Sequence, residues 1–154
     1  MQTEFWLGNE KLAYMTAQTD YEIRFDLRDK NDRPFYAVYS NFRIGEEKMF
    51  YRLILGNHFT GDAGQCRNSY SLRSHENMFF TTYDEDHDAR DDINCARAHN
   101  HGGGWWFHRC DDCNLNGEYG GGTDSNPGAM EWDSLDGSNG RNLRGSEMKI
   151  RPLY

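Results

Sequence analysis

Asp84, Glu85, Asp86, Asp88, Asp91 and Asp92 crowd into one short run. Asp84, Asp86 and Asp88 alternate, so an extended or looped backbone lets their carboxylates converge, and calcium takes about six to eight hard oxygen ligands. Neighbouring carboxylates about 4 Å apart repel by about 1 kcal/mol per pair even in water, and a bound cation relieves that crowding. The same residues also suit a solvated acidic turn, the usual fate of a charge run. An EF-hand is excluded: counted from Asp84, the sixth loop position is Ala89 where Gly is required, and the twelfth is Cys95 where Glu is required.

A second chemistry lies in the four cysteines, Cys66, Cys95, Cys110 and Cys113. Cys110-Asp111-Asp112-Cys113 is a C-x-x-C, and His99, His101 and His108 are near in sequence, a set that could hold a structural zinc ion. No second C-x-x-C and no H-x3-5-H pair accompanies it. An even number of cysteines in a glycine-rich, aromatic-rich chain also points to disulfides and an oxidising compartment. From the residues alone both readings stand. Asp, Glu and His are plentiful, yet there is no H-E-x-x-H, no phosphate loop and no Ser-His-Asp spacing, so a non-enzymatic domain is expected.

These groups must be positioned by elements the sequence announces unevenly. Residues 6–16 read as a short helix capped by Asn9, with Leu12 and Met15 on one face. Tyr21, Ile23, Phe25 and Leu27 alternate with Glu22, Arg24, Asp26 and Arg28, a half-buried strand. After a turn at residues 29–34, Tyr36, Val38, Ser40, Phe42 and Ile44 predict a second alternating strand, and Phe50 to Leu55 a third. Three strands joined by short turns imply an antiparallel meander. Beyond about residue 56 the periodicity fades into Gly, Asn, Asp, His and Ser. Glu147 to Pro152 alternates again and can return to the sheet as a strand stopped by proline.

Composition narrows the function. With 17 basic against 25 acidic residues the net charge is −8, which argues against nucleic-acid partners, since those need a dense cationic face. Mean hydropathy is −0.97, a value typical of disorder. However, 14% of residues are aromatic, so the core is expected to be built from Trp, Tyr and Phe. No apolar run is long enough to span a membrane as a helix. Met1-Gln2-Thr3-Glu4 lacks the basic and apolar regions of an export signal, so a secreted protein would carry that signal elsewhere.

Four pieces in order carry a family pattern: Glu4-Phe5-Trp6-Leu7-Gly8-Asn9-Glu10-Lys11; Tyr83-Asp84-Glu85-Asp86-His87-Asp88; Asn94-Cys95-Ala96 with Gly103-Gly104-Trp105-Trp106; and Asn114-Leu115-Asn116-Gly117 with the terminal Met148-Lys149-Ile150-Arg151-Pro152. The set resembles fibrinogen-related domains, the family of ficolins, tachylectins and the fibrinogen gamma chain. The resemblance implies an α+β fold with a small central antiparallel sheet, short helices and a loop-rich subdomain that binds calcium and ligand. By that division residues 1–72 and 143–154 form the sheet subdomain and 73–142 the loop-rich one, with the family's amino-terminal subdomain missing.

The resemblance also assigns residues. Calcium would be held by the side chains of Asp86 and Asp88 and by carbonyls near Arg90 and Asp92. Cys95 would pair with Cys110, closing the loop that carries Trp105 and Trp106, and a second bridge between Cys66 and Cys113 is inferred. Closing a loop of about 15 residues is worth about 3 kcal/mol. A ligand pocket would involve Asn100, His101, Arg109, Cys110 and Asp111, with a cis Arg109–Cys110 peptide aiming the Cys110 amide at an acetyl oxygen. Asp111 stands where a histidine commonly follows the cysteine. The expected tyrosine walls are not evident between Gly120 and Gly128; Trp132 and Tyr119 could replace them, although lone aromatics are more often core, and Trp105 and Trp106 read mainly as core.

The function implied is a secreted, calcium-binding pattern-recognition lectin of innate immunity, binding microbial or acetylated glycans. The alternative is a protein-binding module of the fibrinogen or angiopoietin type, recognising a peptide or receptor. A single acetyl pocket is weak, so a homo-oligomer of the full-length protein would supply avidity.

Overall fold

In the computed structural model, which describes residues 5–64, 72–98, 103–119, 128–133, 135 and 142–153, the strongest sequence pattern becomes the central strand. β1 (Tyr21–Arg28) buries Ile23, Phe25 and Leu27 at 3%, 1% and 1% exposure, as period two requires. It lies between β2 (Pro34–Tyr39) and β8 (Gly145–Pro152), both antiparallel to it. β5 (Phe59–Gly61) joins the outer side of β2, giving the order β5-β2-β1-β8. The carboxy-terminal segment thus closes the sheet on β1, with Tyr21 opposite Pro152 and Arg28 opposite Gly145. The other face of the sheet carries ion pairs such as Asp26 with Lys149 and Glu22 with Arg151, exposed contacts that stabilise little.

The second predicted strand is broken in two. In β2 the buried residues are Ala37 and Tyr39, while Tyr36 and Val38 lie on the opposite, half-exposed face. Asn41, at φ 47, interrupts the run, and Phe42 and Ile44 then turn inward. β3 (Arg43–Ile44) leaves the main sheet and pairs with β4 (Leu53–Ile54). The expected third strand is cut to β4 because Phe50 and Tyr51 both adopt left-handed backbone, φ 48 and φ 50, after a turn of 3-10 helix at Glu47–Met49. The three-strand meander is therefore replaced by two small sheets, with β5 taking the edge assigned to residues 50–55.

The amino-terminal helix α1 (Asn9–Thr16) begins three residues later than the expected span 6–16, and Asn9 is its first residue rather than its cap: Gly8 is the cap residue and no side chain bonds the first turn. Ala13 and Thr16 are its buried positions, with Leu12 packed beside them. Thr16 Oγ1 donates to Leu12 O at 2.8 Å and accepts from the Ile44 amide at 3.1 Å, which fixes the helix against β3.

The aromatic core runs from sheet to loops without a break. Trp105, Phe107 and Trp132 are each 0% exposed, and the Phe25 and Trp132 rings lie 5.3 Å apart. β6 (Cys113–Asn114) and β7 (Glu131–Trp132) form a two-stranded ladder beneath this cluster. Trp105, Trp106 and Trp132 are all core, so Trp132 takes the commoner of the two roles open to a lone aromatic. Full burial leaves that indole no face to offer a ligand. Tyr119 is 69% exposed.

Candidate functional site

The acidic run is held at both ends by the backbone. Thr81 and Trp105 exchange amide hydrogen bonds of 2.9 and 3.1 Å, so the segment before the run is pinned to the tryptophan pair. The Thr81 hydroxyl accepts from the His87 amide at 3.1 Å, and the Thr82 hydroxyl donates to Asp84 Oδ1 at 2.7 Å. Asp84 is thus tied back along its own turn. His87 Nδ1 lies 3.0 Å from Phe80 O, and its ring stacks on Phe50 with centroids 4.1 Å apart, an aromatic support under the loop.

Asp86 and Asp88 are the carboxylates that meet. Asp86 is exposed and accepts the Asp88 amide at 3.3 Å, while Asp88 is half-buried. Burial raises the Asp88 pKa, and the facing Asp86 carboxylate raises it further, against the lowering effect of two amide bonds. Those bonds are Arg90 N–H to Asp88 Oδ1 and Cys95 N–H to Asp88 Oδ2, each 2.7 Å. Asp92 is differently employed: its two oxygens take the Arg90 guanidinium at 2.9 and 2.7 Å, a bidentate pair that depresses the Asp92 pKa. The side chain of Asp92 is therefore committed, which leaves its carbonyl as the group it could offer.

A calcium ion fits this donor set in one specific way. Among the described residues no three His, Cys, Asp or Glu side chains converge as a metal-binding group. A cation here would have two carboxylates, Asp86 and Asp88, and would complete its shell with backbone oxygens, a set of hard ligands suited to calcium. The mutual approach of those carboxylates is the feature a divalent ion would relieve.

Two hydrogen bonds join the acidic loop to the cysteine loop, which a disulfide closes. Asp88 holds the first amide of α2 (Cys95–Ala98). Cys95 is disulfide-bonded to Cys110, with a sequence separation of 15. The Ala89 amide donates to His108 O at 3.0 Å. The zinc reading of the C-x-x-C falls here, because Cys110 is consumed in that bond. Cys113 is a free thiol at 0% exposure, inside β6, with burial pushing its pKa well up. The inferred partner of Cys113 in a second bridge, Cys66, lies outside the described residues.

Of the expected pocket residues, Asn100 and His101 lie outside the described residues, as does His99. Arg109 is exposed, Cys110 is buried and Asp111 is half-buried at the same turn. No cis peptide occurs among the described residues, so Arg109–Cys110 is trans. A non-proline cis bond costs about 2.5 to 4 kcal/mol, and here the turn closes in the trans form, with the His108 amide donating to Cys110 O at 2.8 Å.

One residue escaped the sequence reading. His75 is 0% exposed; its Nδ1 lies 2.8 Å from Trp106 O, and its Nε2 accepts from the Asp112 and Cys113 amides at 3.2 and 3.3 Å. Burial lowers its pKa to about 4. Nothing in its neighbourhood, Arg73-Ser74-His75-Glu76, carries a recognisable motif. Only folding brings it under the segment that follows the tryptophans.

Comparison with known proteins agrees with this architecture. The family model described as "Fibrinogen beta and gamma chains, C-terminal globular domain" matches residues 1–153. Techylectin-5A of Tachypleus tridentatus is 41% identical over 154 residues, covering 99% of this chain and 49% of that protein. Fibrinogen-like protein 1 of Homo sapiens is 40% identical over 157 residues, covering 97% of this chain and 49% of that protein. The chain thus spans about half the length of these curated relatives. Among solved structures, the fibrinogen-like globe domain of human ANGPTL6 superposes with a TM-score of 0.85 at 35% identity, covering 98% of this chain and 65% of that one. Lamprey fibrin D-dimer, complexed with the peptide Gly-His-Arg-Pro-amide, superposes with a TM-score of 0.80 at 31% identity, covering 98% of this chain and 52% of that one. A family model spanning the sheet, the acidic loop and the disulfide-closed loop alike leaves one assignment: the chain belongs to the fibrinogen-related domain family.

Proposed function

We propose that the chain is the recognition domain of a secreted, calcium-binding lectin that takes acetylated or microbial glycans at the turn Arg109–Asp111. The observation that carries this reading is the Asp86–Asp88 pair, bonded through the Cys95 amide and the disulfide to the turn carrying Cys110. A cation bound there would shape the binding turn through covalent and hydrogen-bonded links, with no catalytic part. The relative named techylectin, at 41% identity, supports the glycan class.

A protein-binding module is the second reading. Asp111 beside the turn gives it an acidic rim suited to a cationic peptide end, and a fibrin relative is complexed with Gly-His-Arg-Pro-amide. The trans Arg109–Cys110 bond also departs from the acetyl-binding arrangement.

Glycan-array binding in calcium and in chelator separates the two. Calcium-dependent retention on N-acetylated glycans, competed by free N-acetylglucosamine, supports the lectin. Silence on the array, together with calcium-dependent binding of Gly-His-Arg-Pro-amide, overturns it in favour of the protein-binding module.

A further inference from the structure

We propose that His75 is a positioning residue that sets the shape of the ligand-bearing segment from Trp106 to Cys113, an inference that rests on the site assignment made above. The geometry fixes the chemistry of its ring. Nδ1 faces a carbonyl oxygen, that of Trp106 at 2.8 Å, and must carry the proton. Nε2 faces two amide protons, those of Asp112 and Cys113, and must present its lone pair. Only the neutral Nδ1–H tautomer satisfies all three contacts, and the lowered pKa of the buried ring agrees with it.

The contacts bracket the proposed binding turn. Trp106 precedes it and Asp112 and Cys113 follow it, while the disulfide at Cys110 anchors its middle to α2. The ring thus ties the two ends of the segment to one rigid, fully buried group. Its own backbone is held by the Met78 amide, which donates to His75 O at 3.1 Å, and by the 3-10 helix Leu72–His75. The short span between the tethers constrains the turn that carries the exposed Arg109 and the half-buried Asp111. Without the ring, the Asp112 and Cys113 amides lose a buried acceptor and the Trp106 carbonyl a buried donor, so the turn must rearrange to satisfy them.

Two substitutions divide the roles. His75→Gln can keep an acceptor for the two amides, whereas His75→Phe keeps the ring shape and neither polar contact. By amide hydrogen exchange, His75→Phe is expected to expose the Asp112 and Cys113 amides on the order of tenfold faster, with Phe25 and Ala37 in the sheet unchanged, and His75→Gln to recover most of the protection. Uniform acceleration across the sheet, or no change at Asp112 and Cys113, overturns the proposal. If His75→Phe does not fold, nitrogen NMR of the wild-type ring decides: a protonated Nδ1 with a bare Nε2 supports the clamp, and the opposite tautomer refutes it.

Binding of N-acetylglucosamine-bearing albumin and of Gly-His-Arg-Pro-amide is measured on the same proteins. Whichever probe the wild type takes should bind about tenfold more weakly to His75→Phe, with partial rescue in His75→Gln. Equal affinity in all three overturns the positioning role. If the wild type takes neither probe, the functional reading fails, and hydrogen exchange still decides whether His75 clamps the segment.

Discussion

Removing the Cys95–Cys110 bond tests the link between the acidic loop and the binding turn. The bond closes a segment with a sequence separation of 15, and a crosslink of that size removes about 3 kcal/mol of unfolded-state entropy. Both cysteines are buried, at 0% and 4% exposure, so Cys95→Ala with Cys110→Ala also leaves a small packing loss. For a domain of this size each kcal/mol moves Tm by about 2 to 4 °C, so a fall of about 6 to 12 °C is expected by calorimetry in the double variant. The loss should be local as well as global. Cys95 N–H is the donor to Asp88 Oδ2, so freeing α2 should speed hydrogen exchange at Cys95 and Arg90 more than at Phe25 or Ala37. A double variant that melts within about 2 °C of the wild type, with unchanged exchange in the acidic loop, would refute the claim that this bond holds the two loops together.

Three further outcomes follow from other parts of the fold. His75 has a folded pKa of about 4 against an ordinary 6.5, so the unfolded chain binds the extra proton between those values. Its contribution is complete above about pH 6.5 and is lost as pH falls toward 4, a loss of about 3 kcal/mol that should disappear from the urea-unfolding pH profile of His75→Gln. Asp29, 6% exposed, accepts the Asn31 amide, the Arg33 amide and Arg33 Nε at 2.9, 2.8 and 2.7 Å, so Asp29→Ala should cost about 2 kcal/mol by opening the β1–β2 turn, read by chemical denaturation. At Gly61, φ 140, a Cβ would meet Tyr36 O at 2.2 Å; Gly61→Ala should destabilise by on the order of 3 kcal/mol and release β5 from the sheet edge, seen as lost amide protection at Ala37 neighbours.

How far the sequence disclosed this molecule depended on whether a pattern was local. β1 was legible because Ile23, Phe25 and Leu27 obey period two without interruption, and β8 because Glu147 to Pro152 does so up to a proline. The β2 face was misread because Phe35, Ala37 and Tyr39 are as apolar as Tyr36 and Val38, so alternation alone could not choose a side, and the left-handed turn at Asn41 reverses the phase. The third strand failed at Phe50 and Tyr51, where two bulky residues take a backbone region that propensity disfavours. In the site, the charge run drew attention to Asp86 and Asp88, whereas the commitment of Asp92 to Arg90 is a side-chain pairing that spacing does not encode. The trans Arg109–Cys110 bond and the free Cys113 were beyond sequence reasoning because both depend on how the core closes around them. His75 gave no local signal, since its partners lie 31 to 38 residues away.

Calorimetric titration of calcium into the wild type and into Asp86→Asn with Asp88→Asn tests the cation loop most directly. Saturable binding of one ion per chain in the wild type, absent in the double variant, is the predicted result. Equal heats in both proteins, with no saturation, would contradict the claim that these two carboxylates form the site.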